Sequence, residues 1–203
     1  VLGRHVKSLE FFDVLLGDRP ALTAVESFYQ RILADNPDEA IAQAEALLAD
    51  RSLGAYYDDV VLEGLKLAVE DQARGTIDRS RAITMNRVTM DVIKDLRPAA
   101  TATAADDGVT SVGRVLCVAG HGPFDDAVSA MLVQLLAQRG IVAQAIANAA
   151  VARDTIGSVH MADVAVIAIS YLDVTGSPAQ LRYLIRRLRD QGYWAVQDEV
   201  SLY

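Results

Sequence analysis

Apolar residues recur every three or four positions up to about Leu96, whereas from Val115 onward they fall into short runs separated by breakers. A helix places residues three and four apart on one face, and a buried strand reads as a short continuous apolar run, so the two halves cannot share one architecture. In the first half Val25, Phe28, Tyr29, Ile32 and Leu33 mark the face of a first full helix. Asn36-Pro37-Asp38-Glu39 then gives a capping side chain, a proline at the first helical position and a glutamate three residues after the cap, which predicts a second helix to about Ala49. Leu53, Tyr57, Val61, Gly64, Leu65 and Ala68 define a third, from about Leu53 to Arg74, with Gly75 as the residue that ends it. Ala82, Met85, Thr89, Val92, Ile93 and Leu96 define a fourth, from about Arg79 to Leu96. Four amphipathic helices in succession predict a bundle.

Between Arg97 and Val112 the periodicity stops, and Pro98, a run of Ala and Thr, and Asp106-Asp107-Gly108 read as a linker. Beyond it strands are expected at Val115 to Ala119, Ile141 to Ala147, Val164 to Ile169 and Tyr193 to Val196, the apolar runs being of the kind buried on both faces of a parallel sheet. Helices are expected between them: one with Val128, Met131, Leu132, Leu135 and Leu136 inward and Gly140 at its end, a short one near Arg153, and a last one capped by Ser177-Pro178. That last helix turns Leu181, Leu184, Ile185 and Leu188 inward and Arg182, Arg186, Arg187 and Arg189 outward. The expected fold class is α/β, an N-terminal helical bundle followed by a flavodoxin-like (Rossmann-like), doubly wound parallel sheet. The expected boundaries are a leading segment over 1–20, the bundle over 21–97, the linker over 98–112 and the flavodoxin-like domain over 113–203.

Composition narrows the partners. The 203 residues are 52% hydrophobic and carry a formal charge of −8, so no basic surface is available to attract nucleic acid, which is excluded as a partner. The single cysteine, Cys117, sits in an apolar run and reads as a small hydrophobe, which fits a reducing compartment. No uninterrupted apolar stretch approaches the ~18 to 20 residues that span a bilayer, so the chain is expected to be soluble. It opens at Val1 and reads as cut from something longer; Leu9, Phe11, Phe12, Val14, Leu15 and Leu16 are apolar enough to pack on a partner or lie against a membrane.

In doubly wound sheets ligands lie beyond the carboxyl ends of the strands, which directs attention to the loops after Ala119 and Ile169. The first reads Gly120-His121-Gly122-Pro123-Phe124-Asp125-Asp126. Its glycines would let a ligand approach the backbone, but Asp125 stands where a dinucleotide fingerprint has its third glycine, and the Asp125/Asp126 pair would repel a phosphate at the helix start. Asp125 is expected to be the N-cap of that helix. His121 would need convergent partners to serve as a metal ligand, an acid/base or a pH switch, and His160 and His5 are distant in sequence. The sequence holds no Gly-x-Ser-x-Gly elbow, Walker loop, HExxH or Cys-x-x-Cys. Asp58/Asp59 and Asp106/Asp107 read as solvated charge, and Tyr56, Tyr57, Phe28 and Tyr29 as bundle core. No catalytic or metal-ligating residue is assigned, and the chain is not expected to be an enzyme.

Two resemblances arise from these residues. The helical segment with Leu53, Tyr57, Leu62 and Leu65, the Thr/Ala linker and the following α/β pattern resemble, over roughly residues 38 to 190, the bundle-plus-Rossmann pair of cobalamin-binding modules such as that of methionine synthase. Those modules carry Asp-x-His-x-x-Gly after the first strand, Ser-x-Leu after a later one and a terminal Gly-Gly. Ser170-Tyr171-Leu172 matches the second motif; the first is replaced by Pro123, Asp125 and Val128 at its Asp, His and Gly positions, and no Gly-Gly follows Tyr193. The resemblance implies a pocket over Gly120, His121, Gly122, Asp125, Ser170, Leu172 and Thr175, with cobalamin bound, if at all, base-off and His-off. Val1-Leu-Gly-Arg-His-Val and Leu9-Glu-Phe-Phe-Asp-Val-Leu-Leu-Gly-Asp18 are similar to the stretch after the last membrane helix of autoinducer exporter (PerM-like) permeases. This second resemblance implies a non-catalytic accessory or regulatory domain on the cytoplasmic face of a bacterial inner membrane. Its partners would be the membrane-embedded part of its own transporter, a small-molecule ligand, or a second copy of itself.

Overall fold

A computed structural model of the chain describes residues 22–97, 113–159, 163–172 and 178–190. The leading segment over 1–20, the linker over 98–112, Thr175 and the expected strand at Tyr193 to Val196 lie outside the described residues.

Each bundle helix starts where the sequence supplies a cap. In α1 (Ala24–Leu33) the Glu26 amide donates to Thr23 Oγ1 at 3.2 Å and the Thr23 amide donates to Glu26 Oε2 at 2.8 Å, a reciprocal capping box. α2 (Pro37–Leu48) begins with Asn36 Oδ1 accepting from the Glu39 amide at 3.2 Å. Ser52 caps α3 (Leu53–Tyr56), which runs without a break through a π-helical segment, Tyr57–Leu62, into α4 (Glu63–Ala73). Gly75, at φ +75°, ends it in the left-handed conformation, with the Gly75 amide on Gln72 O and the Thr76 amide on Asp71 O. Asp78 Oδ1 then accepts from the Arg81 amide at 2.7 Å to open α5 (Arg79–Asp95). The expected stripes are the buried ones: Phe28 and Ile32; Leu53, Tyr57, Val61, Leu65 and Ala68; Ala82, Met85, Thr89, Val92, Ile93 and Leu96. Gly64 allows α1 to lie against α4, because a Cβ there would stand 2.6 Å from Phe28 Cδ1.

The second half is α/β. β1 (Arg114–Ala119) lies between β2 (Ala143–Ile146) and β3 (Val164–Ser170), all parallel, in the order β2-β1-β3. That is the order of the first three strands of the flavodoxin pattern. Leu116 and Val118 of β1 pack with Ile146, Val151, Ile156, and Leu184 and Leu188 of α7 (Pro178–Asp190). α6 (Asp125–Gln138) covers the other face, and Phe124, Ala127 and Met131 join the core of the bundle. No described helix is long and apolar enough to cross a membrane.

Four expectations are corrected. Asp125 is the first helical residue rather than the cap; Phe124 holds the cap position, and its carbonyl accepts from the Val128 amide. The helix near Arg153 is a turn between two 3₁₀ segments, Asn148–Val151 and Ile156–Ser158, held by Thr155 Oγ1 donating to Ala149 O at 2.7 Å. The strands are not buried throughout, Val166 being 51% exposed on β3, the strand on which α6 packs least. On α6 the fully buried positions include Ser129 and Gln134, while Val128, Leu132, Leu135 and Leu136 are half-buried. A helix wedged between a sheet and a bundle has no single inward face, so the apolar stripe does not mark its buried side.

Candidate functional site

The two loops singled out from the sequence are tied together by one carboxylate. Asp125 is wholly buried; its Oδ2 accepts from the Gly122 amide and its Oδ1 from the Leu172 amide, both at 2.8 Å. The Gly120 amide donates to Ser170 O at 2.8 Å, and Ser129 Oγ donates to Ser170 Oγ at 3.0 Å. This arrangement accounts for both glycines. A Cβ on Gly120 would stand 2.5 Å from Asp125 Oδ2 and 2.8 Å from Ser170 O, and one on Gly122 would stand 3.0 Å from Asp125 Oδ2. The glycines admit the chain's own carboxylate and carbonyl.

Outside this knot lie two cavities of about 630 and 660 Å³ that share His121, Asn148, Tyr171 and Gln180, and so form two arms of one groove across the carboxyl ends of the strands. One arm runs along α7, between Arg153 on the 3₁₀ turn and Leu181, Leu184, Arg186 and Arg187. The other runs between the loop after β1 and the bundle, where Gln72, Arg79, Ile83 and Asn86 form its wall. His121 Nδ1 stands 3.3 Å from Asn148 Oδ1, and Asn148 Nδ2 donates to Ala119 O at 3.4 Å, which fixes the amide at the junction. Asn86 Oδ1 is buried without a hydrogen-bond partner. Burial pushes the Asp126 carboxyl, in the bundle arm, above the usual carboxylate range, and the backbone amide of Asn148 offsets part of that rise.

Of the residues expected at the site, Gly120, His121 and Gly122 line the groove, whereas the buried Asp125 and Ser170 and the half-buried Leu172 form the support beneath it. Thr175 lies outside the described residues. Asn148, Tyr171, Gln180 and the arginines of the α7 arm went unassigned. Asn148 had a readable signal, since it follows the end of β2 and the rule that ligands sit beyond strand ends applies there as well. No corresponding signal marks Gln72 or Asn86, which reach the groove only through packing of the bundle on the sheet.

The residues present do not fit axial ligation of a corrin metal. Asp125, at the position of the ligating histidine, is wholly buried with both oxygens engaged by backbone amides, and among the described residues no three His, Cys, Asp or Glu side chains gather to hold a metal ion. Family models, curated proteins and solved structures give no match to this chain.

Proposed function

We propose that this chain is a non-catalytic regulatory module whose groove takes a small molecule, and that it serves as a cytoplasmic accessory domain of a PerM-like membrane transporter. The observation that carries the ligand reading is the position of the groove: the sheet loops form one side and α4 and α5 of the bundle the other, so an occupant touches both halves. Binding would then change how firmly the bundle holds the sheet, a differential contact of the sort a regulatory domain needs. The transporter reading rests on the resemblance of residues 1 to 18 and makes the membrane-embedded part of the same protein the partner.

A thermal-shift screen of small metabolites tests the ligand reading, with Tyr171→Ala and Gln180→Ala as groove variants. Compounds that stabilise the parent and lose their effect in both variants support it; stabilisation that persists in both places the ligand elsewhere and overturns it. Absorbance titration with hydroxocobalamin is expected to show no spectral shift and no colour travelling with the protein on gel filtration. A shifted, co-migrating corrinoid would identify the ligand as cobalamin bound without an axial side chain. Co-purification of the full-length protein's pore with this module after cleavage between them tests the transporter reading, and separation of the two in mild detergent would sink it.

A further inference from the structure

We infer that the groove's ligand carries a phosphate or carboxylate group, seated in the α7 arm against Arg153, Arg186 and Arg187. The assignment rests on the groove being a ligand site and adds the charge of its occupant. Three guanidiniums line that arm against one carboxylate, Asp190, in a chain whose acidic residues outnumber its basic ones by 27 to 19. The local excess of positive charge therefore runs against the composition.

Four arginines of the bundle are neutralised. In the bundle Arg31, Arg51, Arg74 and Arg87 each stand within ion-pair distance of a carboxylate, whereas Arg153 and Arg186 form no ion pair among the described residues. Arg187 is held for the purpose: its Nη1 donates to Val151 O at 2.8 Å and its Nε to Tyr183 O at 3.4 Å. Two carbonyls orient the planar fork and leave its net charge in place, which lowers the ordering cost of binding an oxyanion. The apolar floor of Leu181 and Leu184 strengthens the field across the arm. The bundle arm is different in kind, with Arg79 set against Asp126 and the amides of Gln72 and Asn86 beside them. The groove thus suits a molecule with one anionic end and an uncharged, hydrogen-bonding remainder.

Isothermal titration of the whole chain with pyrophosphate, with citrate and with triethyl citrate as the uncharged control tests the assignment. At about 50 mM salt, where charges act over roughly 14 Å, one of the two anions is expected to bind at one site per chain, and triethyl citrate is not. Arg153→Glu/Arg186→Glu, both exposed and outside the folded core, should weaken that binding at least about tenfold, with Arg182→Glu, exposed and outside the groove, changing it less than about twofold. Preference for pyrophosphate over citrate, or the reverse, names the group. Failure of both anions at millimolar concentration, or an equal loss in Arg182→Glu, overturns the charge assignment. If an uncharged compound still binds and is lost in Tyr171→Ala, the groove reading stands without its anion; if nothing binds, both fall.

Discussion

Asp125 is a buried carboxyl side chain that takes up two amide donors. A carboxylate that accepts backbone N–H bonds from Gly122 and Leu172 replaces its hydration locally and fixes two loops at once. Asp125→Ala would leave two part-buried amides unpaired and is expected to cost about 2 to 3 kcal/mol, read as a fall in the urea midpoint at unchanged slope. Loss of less than about 1 kcal/mol would mean that water reaches those amides. Its neighbour Asp126 is disfavoured as an anion. The folded-state value of Asp126 lies above the ordinary 3.8, because burial disfavours the charge. A raised carboxyl contributes stability in full below the unfolded value and loses that contribution as pH rises through the folded value. Asp126→Asn is therefore expected to raise the melting temperature at pH 7 and to have little effect near pH 3; an equal gain at both values would trace it to something other than charge. From sequence alone the aspartate pair at 125 and 126 read as a cap and its neighbour. Which carboxylate turned inward depended on the helix beginning at Asp125, one residue earlier than expected, with Phe124 as its cap, and on a β3 loop 47 residues away.

At the level of elements, α6 is the hinge of the architecture, covering the sheet with one side and entering the bundle core with the other. Its two buried polar residues divide that duty. Ser129 bonds to Ser170 of β3, whereas Gln134 accepts from Tyr57 Oη and donates to Ile93 O, each at 2.5 Å, and so links α6 to the π-helical segment and to α5. Tyr57→Phe keeps the ring and removes only the hydroxyl, leaving a buried amide oxygen unpaired; a loss of about 1 to 2 kcal/mol in chemical denaturation is expected. Tyr57→Phe/Gln134→Leu should recover part of that loss, and a double variant no better than the sum of the singles would show that the two groups are not coupled. The four bundle helices were legible because each repeats at helical spacing, and the Asn36 cap because a proline and a glutamate follow it; the caps at Thr23, Ser52 and Asp78 went unread. The wedge role of α6 was not, since helix-wide burial appears in a sequence only as a blurred stripe. The π-helical segment leaves no local mark either, the apolar spacing from Tyr57 to Ala68 being that of an ordinary helix.

For the whole molecule, the shared core has a consequence for cooperativity. Phe124, Ala127 and Met131 belong to the same buried cluster as Phe28, Tyr57 and Leu65, so opening the bundle removes packing from the sheet's helix. Cys117 reports on the sheet: it is wholly buried in β1, and burial pushes its thiol up to about 11, so it should react with a thiol reagent only when the sheet opens. Gly64→Val acts far from it, in the bundle, by forcing a side chain onto Phe28 where even a Cβ would stand 2.6 Å from the ring. Overpacking of that kind costs about 2 kcal/mol. If the halves open as one unit, the native-state labelling rate of Cys117 should rise by roughly 30-fold, the factor that about 2 kcal/mol represents in an opening equilibrium. Should labelling change by less than about threefold while circular dichroism reports the full destabilisation, the sheet survives bundle opening. A groove ligand would then bridge two independently folding halves and stabilise their contact; in the coupled case it stabilises a single unit, and ligand binding would slow Cys117 labelling and bundle unfolding by the same factor.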